Sequence, residues 1–302
     1  MSVTYADWNG EVMPLEDVRV SVLDRAFLFG DGIYEALRVY GGEPFLLREH
    51  MDRLKRSLQE VSIDADVDAF EKRTLSLLAK SGVKEGLIYQ QVTRGVYPRV
   101  HKFPPKGTKP NELVWVKEFS ETPFGEFRDS GAAVVTVTDV RWKRCDIKSV
   151  NLLANCMAAE AAAQAGCQEA LLIAEDGSIV EGSHTSAFGV KDGRVWTMPL
   201  GPHILPGITR ALVLKLANRA NIEVIERCLL KAELGQIDEL FLTGTTSEVL
   251  PITKVDGKPV GSGKPGPVTQ KLVAEYQREI EALIAGRLVS PTKLSAVAHA
   301  AS

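Results

Sequence analysis

The feature that most constrains this chain is a polar break near its middle. Glu121 to Gly131 reads ETPFGEFRDSG and contains Pro123, Gly125 and Gly131, the composition of an exposed connection between folded units. It predicts an N-terminal domain over 1–120, a linker over 121–131 and a C-terminal domain over 132–287, each domain long enough to bury a core without disulfide staples. The remaining segment, 288–302, is expected to be a loosely held tail.

The residues on either side of the break alternate between two periods. From Tyr5 to Tyr40, short apolar runs are cut by Asn9-Gly10, Pro14 and Asp31-Gly32, which predicts strands and tight turns. Met51, Leu54, Leu58 and Val61 then recur at three- and four-residue steps, so His50 to Val61 is expected to be an amphipathic helix. A second helix is expected over Val67 to Ala79, followed by strands at Leu87 to Thr93 and Asn111 to Lys117. Beyond the break the pattern predicts a strand over Ala132 to Val140 and an Ala-rich helix over Asn151 to Ala165, closed by Gly166. Three strands joined at Asp176-Gly177 and Asp192-Gly193 come next. A helix from Ile208, strands at Ile222 to Glu226, Glu239 to Thr243 and Val249 to Val255, and a helix over Val268 to Ala285 complete the reading. Strands and helices in both halves place the chain in the mixed α/β (α+β) class.

Charge and cysteine usage narrow the function. Thirty-six Lys plus Arg against 39 Asp plus Glu give a net charge of −3, and neither sign forms a long block. A general attraction to nucleic acid or acidic membranes is therefore not favoured. Cys145, Cys156, Cys167 and Cys228 show no CxxC and no zinc spacing, and read as reduced thiols of a cytoplasmic protein. MSVTYADWNG lacks a basic n-region and an apolar h-region, and no stretch of about 18 residues is free of charge, so neither secretion nor a membrane span is expected.

Five stretches could carry chemistry, and each has a plainer reading. Lys148, in Arg144-Cys145-Asp146-Ile147-Lys148-Ser149, follows a strand and precedes a helix, a good place to aim an amine into a cleft; alone, the stretch reads as a solvated basic loop. Glu181, in Glu181-Gly182-Ser183, can offer a carboxylate to a ring nitrogen or be a surface Glu beside a turn. Leu205-Pro206-Gly207-Ile208-Thr209 and Thr243-Gly244-Thr245-Thr246-Ser247 suit phosphate, or are ordinary helix-entry and loop punctuation. Neither matches the GxxxxGK[ST] loop, and no GxGxxG follows a strand. Arg99 and His101 alternate around one residue, so an extended loop points both to one side, where they could bind a carboxylate or simply be solvated. Arg53 is ambiguous between a solvated helix face and a phosphate ligand.

Taken together, these stretches resemble the fold-type IV pyridoxal-phosphate aminotransferases, and among them the D-amino-acid aminotransferases. Phe29-Gly30-Asp31-Gly32-Ile33-Tyr34-Glu35, Glu49-His50-Met51-Asp52-Arg53-Leu54, Val92-Thr93-Arg94-Gly95, the Lys148 and Glu181 stretches, Gly207-Ile208-Thr209-Arg210 and Thr245-Thr246-Ser247-Glu248 follow the family's order and spacing, from about Tyr5 to Ile280. The resemblance implies a smaller α/β N-terminal domain and a larger C-terminal domain with a β-barrel-like core, the cofactor pyridoxal 5'-phosphate lying between them.

It further implies that Lys148 is the Schiff-base lysine and moves a proton between the substrate Cα and the cofactor C4′. Glu181 would pair with the pyridinium nitrogen, while Arg53, Ile208, Thr209, Gly244 and Thr245 would hold the phosphate. In D-specific relatives an Arg-x-His loop from the neighbouring subunit and a tyrosine bind the substrate α-carboxylate; the matching residues here are Arg99, His101 and Tyr34. A homodimer is implied, as is a two-stage exchange between a D-amino acid such as D-alanine and a 2-oxo acid such as 2-oxoglutarate.

Three positions depart from the pattern. Gly244 stands where a serine is usual, His184 where a small residue is common, and Ala36 where a bulkier side chain is often found. The competing readings are a branched-chain L-aminotransferase, an aminodeoxychorismate-lyase-like or amine-transaminase relative on the same fold, and a non-catalytic cofactor-binding protein. Lys148 and Glu181 together argue against the last, because binding alone requires the chemistry of neither.

Overall fold

Turn residues cut the first 118 positions into a wholly antiparallel sheet. The computed structural model describes residues 4–287, and its first six strands are β1 (Tyr5–Trp8), β2 (Glu11–Pro14), β3 (Gly32–Tyr40), β4 (Glu43–Pro44), β5 (Gly86–Thr93) and β6 (Asn111–Glu118), ordered β2-β1-β6-β5-β3-β4. In β5 Ile88, Gln90 and Val92 are buried, while Leu87, Tyr89 and Gln91 alternate with them and stay half-buried. Ile33, Leu37 and Ile88 pack against Met51, Leu54 and Leu58 of helix α2 (Leu47–Glu60) and Phe70 and Leu77 of α3 (Val67–Ser81). Tyr34, Tyr89 and Trp115 stack on the opposite face, with ring centroids 5.9 and 5.1 Å apart.

A short helix, α1 (Arg25–Phe29), interrupts the stretch read as strands and turns. The Asp24 side chain accepts from the Ala26 N–H at 2.8 Å, and Gly30 ends the turn at φ 66°. Five residues are too few for a periodic signal, so the cap is the only local cue.

The second half starts after α4 (Phe127–Ser130), a single turn inside the polar break. Strands β7 (Ala132–Thr138), β8 (Glu169–Ile173), β9 (Ser178–Gly182), β10 (Ser186–Lys191), β11 (Arg194–Thr197), β12 (Val224–Glu226), β13 (Leu229–Leu230), β14 (Glu239–Gly244), β15 (Glu248–Val255) and β16 (Lys258–Pro259) form one mixed sheet. Its order is β12-β11-β10-β14-β15-β7-β8-β9-β13, with β16 on β15, and it curls into a half barrel. Helices α5 (Leu153–Gln164), α6 (Ile208–Arg219) and α7 (Pro267–Ile284) pack on it.

Alternation along β14 shows how this sheet is filled. Leu240 and Leu242 join Leu171, Ile179 and Leu250 in one core, whereas Phe241 turns to the other face and stacks on Phe188 at 4.8 Å, beneath Val213 and Leu216 of α6 and Leu272 and Tyr276 of α7. Tyr40 and Phe45 of the first half enter that same cluster, and the Tyr40 hydroxyl donates to Glu248 Oε1 at 2.7 Å. The two sheets therefore share a core.

Four strands, not three, lie between α5 and α6. The expected hairpin turns at Asp176-Gly177 and Asp192-Gly193 are present, the latter with φ of 50° and 73°, but Ser183–Thr185 also leave the ladder. Their N–H and hydroxyl groups donate instead to the buried carboxylate of Glu169. The tail expected at 288–302 lies outside the described residues.

Candidate active site

The backbone around Lys148 is fastened to the first sheet. Tyr34 N–H donates to Lys148 O at 3.0 Å, Ser149 bridges Ile33, and Lys148 N–H lies 3.4 Å from Ser57 Oγ. Asp146, two residues earlier, is gripped by Arg144 at 2.9 Å and Arg56 at 2.7 Å, and these partners hold its carboxyl below its ordinary pKa. Such anchors leave the lysine side chain to enter a cavity between the two sheets, where Nζ lies 4.2 Å from the Tyr34 ring centroid.

Glu181 reaches the same cavity from the end of β9. It is 4% exposed; Oε2 accepts from Arg141 Nη1 at 2.7 Å and Oε1 from the Leu205 N–H at 3.2 Å. Burial is the largest influence and pushes its carboxyl up to about 7 against the opposing pull of Arg141. Arg141 is itself clamped by Asp139, at 3.0 and 2.9 Å. Sequence reasoning missed this arginine; the usable cue was Asp139 two residues before it, since a buried guanidinium needs a carboxylate.

Two glycine-framed turns close one end. Helix α6 begins after Gly207, which supplies no side-chain cap, so its first N–H groups face outward. A Cβ on Gly207 would lie 2.9 Å from Ser186 Oγ, and one on Gly244 would lie 2.7 Å from Ser247 Oγ and 3.1 Å from Thr185 Cγ2. Glycine is thus what lets these walls approach. Thr243 Oγ1 and Arg210 Nε, both buried and both on residues lining the cavity, have no hydrogen-bond partner among the described residues. Unspent donors beside a helix N-terminus suit an anion such as phosphate, and a carboxylate and a lysine farther in suit a heteroaromatic aldehyde. The residues present therefore fit pyridoxal phosphate.

Tyr34, Arg53, Lys148, Glu181, Ile208, Thr209, Gly244 and Thr245 all line this one cavity. Arg53 does so while already engaged: its Nε and Nη2 bind Glu35 at 2.7 and 2.8 Å, and Nη1 donates to Pro206 O at 3.0 Å. It ties α2 to the entry of α6. Burial alone would raise the pKa of Glu35, which is fully buried, yet Arg53 and His50, whose Nδ1 is 2.7 Å away, hold it well below the carboxylate range. Neither Glu35 nor His50 was singled out from the sequence.

Arg99 and His101 do not join the cavity of their own chain. Both are exposed and gather at Phe29, the Arg99 guanidinium 5.3 Å and the His101 ring 5.6 Å from its centroid. His184 does line the cavity; Glu169 Oε2 lies 2.9 Å from its Nδ1. Burial raises Glu169, but His184, Ser183 and Ala170 together bring it down to about 2.

The raised carboxyl of Glu181 has a stability signature. In the cofactor-free protein its contribution is full below the ordinary carboxylate pKa of about 4.3 and is lost as pH rises through about 7. Urea midpoints of the wild type are expected to fall by the equivalent of roughly 3 kcal/mol between pH 4.5 and 7.5, and those of Glu181→Gln to fall by clearly less across that window. Parallel slopes in the two proteins would refute this.

Comparison with known proteins agrees with this geometry. The amino-transferase class IV family matches residues 32–255. D-alanine aminotransferase of Staphylococcus aureus (strain MSSA476) is 39% identical over 275 residues, covering 90% of this chain and 96% of that protein. Among solved structures, the Escherichia coli branched-chain amino acid aminotransferase superposes with a TM-score of 0.82 at 27% identity, covering 98% of each chain. A T.th. branched-chain amino acid aminotransferase with pyridoxamine 5'-phosphate gives 0.82 at 27% identity, covering 95% of this chain and 96% of that one.

Proposed function

The chain belongs to the amino-transferase class IV family of pyridoxal-phosphate-dependent enzymes, and from that premise we propose that it exchanges the amino group of a D-amino acid, D-alanine-like, with a 2-oxo acid, 2-oxoglutarate-like. The observation that carries this reading is the opening of Lys148 and Glu181 onto one cavity with the two glycine-framed anion cradles.

When bound, the cofactor supplies an aldehyde that captures amines and a ring that accepts the electrons left on the substrate α-carbon. Lys148 Nζ would anchor the cofactor at its aldehyde carbon and, once displaced by the incoming amine, would be the base that moves the substrate Cα proton. Glu181, oriented by Arg141, would keep the ring nitrogen protonated. Arg53, the N–H groups of Ile208 and Thr209, and the Gly244-Thr245 turn would hold the phosphate, with Thr243 and Arg210 supplying further donors. Tyr34, stacked on Tyr89, stands beside the Lys148 amine to meet the substrate carboxylate.

Arg99 and His101 complete the carboxylate site from a second copy of the chain. Supporting a homodimer is the apolar face around them: Val22, Leu23 and Phe27 are exposed, as are Val96, Val100 and Phe103, and the two segments are joined by Arg25 N–H to Gly95 O at 3.0 Å and Tyr97 N–H to Leu23 O at 3.3 Å. We place the site between a domain over 1–120 and one over 132–287. A cytoplasmic location accords with the four cysteines being free, and among the described residues no helix is long and apolar enough to cross a membrane.

The preference for D substrates rests on Arg99 and His101 and on the D-alanine aminotransferase relatives. The solved branched-chain enzymes keep the L reading as the competitor. Adding D-alanine without acceptor to the yellow holoenzyme is expected to bleach its visible band, and L-alanine to leave it unchanged. Arg99→Ala is expected to raise KM for D-alanine by about ten- to a hundredfold through loss of a charged hydrogen bond. Bleaching by L-alanine alone would transfer the chain to the branched-chain reading.

A further inference from the structure

Of the positions that depart from the family pattern, His184 is the one that brings a titratable side chain to the catalytic cavity. Its ring is fixed from behind: Nδ1 lies 2.9 Å from Glu169 Oε2 and 3.0 Å from Ser183 Oγ. The Glu169 side chain is 1% exposed, whereas that of His184 is 46% exposed. A carboxylate only accepts, so Nδ1 carries the proton, and the opposite edge of the ring, with Nε2, is turned away from the protein. Nε2 makes no hydrogen bond among the described residues.

The charges of the wall favour an anion at that edge. Glu181 is the one carboxylate lining the cavity among the described residues, and Arg141 already pairs with it. Against it stand Arg53, Arg141, Lys148, Arg210 and His184. The arginines are engaged, Arg53 with Glu35, Arg141 with Asp139 as well as Glu181, and Arg210 with Glu226 at 2.8 Å. Glu169 lies behind the ring and is wrapped by donors from Ala170, Ser183 and Thr185. Enclosure in the cavity and the charge of Lys148 both oppose protonation of His184, yet Glu169 outweighs them and lifts its pKa above the ordinary value. The protonated ring presents an N–H at Nε2.

We propose that His184 determines specificity for an acidic side chain, its Nε2–H donating to the second carboxylate of a dicarboxylic substrate such as D-glutamate or the matching 2-oxo acid. The inference rests on the transamination reading above and deepens it, since it concerns the end of the substrate that does not react.

Stopped-flow bleaching of the yellow holoenzyme without acceptor, by D-glutamate, by its neutral isostere D-glutamine and by D-alanine, tests this. In His184→Ala the ratio of the rate constants for D-glutamate and D-glutamine is expected to fall about tenfold or more, the loss falling on D-glutamate. That variant should fold, because Glu169 keeps its donors from Ala170, Ser183 and Thr185. In the wild type the same ratio should fall as pH rises through the His184 pKa, above about 6.5, and His184→Ala should lack this trend. Titration of Lys148 and Glu181 is common to both substrates and cancels in the ratio. Equal loss with all three substrates would mark a structural role and overturn the proposal, as would a ratio that neither the substitution nor pH moves. Bleaching by L isomers alone would overturn only the D reading of the function, and the ratio for L-glutamate and L-glutamine would then decide the role of His184.

Discussion

Replacing Lys148 with alanine is expected to slow transamination by about 10³-fold or more, within the range contributed by a positioned proton carrier and compounded by loss of the covalent anchor. The protein should still fold, because the loop is held by the Tyr34 N–H, the Ile33 bridge and the Asp146 ion pairs rather than by the lysine side chain. Single-turnover mixing with D-alanine separates the lost proton transfer from impaired binding. Partial rescue by a small exogenous amine, in proportion to its concentration, would mark Nζ as the missing base. Turnover within tenfold of wild type would remove Lys148 from the mechanism.

The second large effect is on stability. Glu35 is fully buried and satisfies both the Arg53 fork and His50. Glu35→Gln leaves a guanidinium buried without its counter-charge, and is expected to cost about 3–5 kcal/mol in denaturant unfolding. Because Glu35 is held below the ordinary carboxylate range, its contribution is present above about pH 4.3 and is lost as pH falls toward the folded value. Glu169, at about 2, loses its contribution in the same direction. Acid unfolding of the wild type should therefore be steep below about pH 4, and shallower in Glu35→Gln. An unchanged midpoint in that variant would show that Arg53 finds another partner.

What could be read beforehand followed the periodicity of each segment. Long amphipathic runs such as Met51-Leu54-Leu58 appear as α2 nearly where expected, and the Asp192-Gly193 turn forms as anticipated. Lys148, Glu181 and the two anion turns drew notice because each sits at the junction of regular elements, but each alone had a plainer reading, and only the resemblance to the fold-type IV enzymes gave them roles. Glu35, His50 and Glu169 could not be singled out, because their importance comes from partners 14 to 18 positions away and from burial that no local pattern encodes, while Arg141 offered only the weak cue of Asp139 beside it. The half barrel was likewise beyond periodicity: alternation in β14 says that both faces are covered, and nothing local says that β15 turns to meet β7.

The parallel pairing of β7 with β15 also sets an order of assembly. Ala132 meets Ile252 and Val134 meets Val255, a contact spanning some 120 positions, so loop closure is entropically demanding and comes late. The first sheet is complete once Glu118 has left the ribosome, and Lys148 and Ser149 can be laid against Tyr34 and Ile33 soon afterwards. The wall that carries Thr243 and Gly244 cannot close until β15 has been made. Nascent chains halted between those points would display β7 and β8 with an unpaired edge, the state in which a chaperone would find this protein most in need of cover.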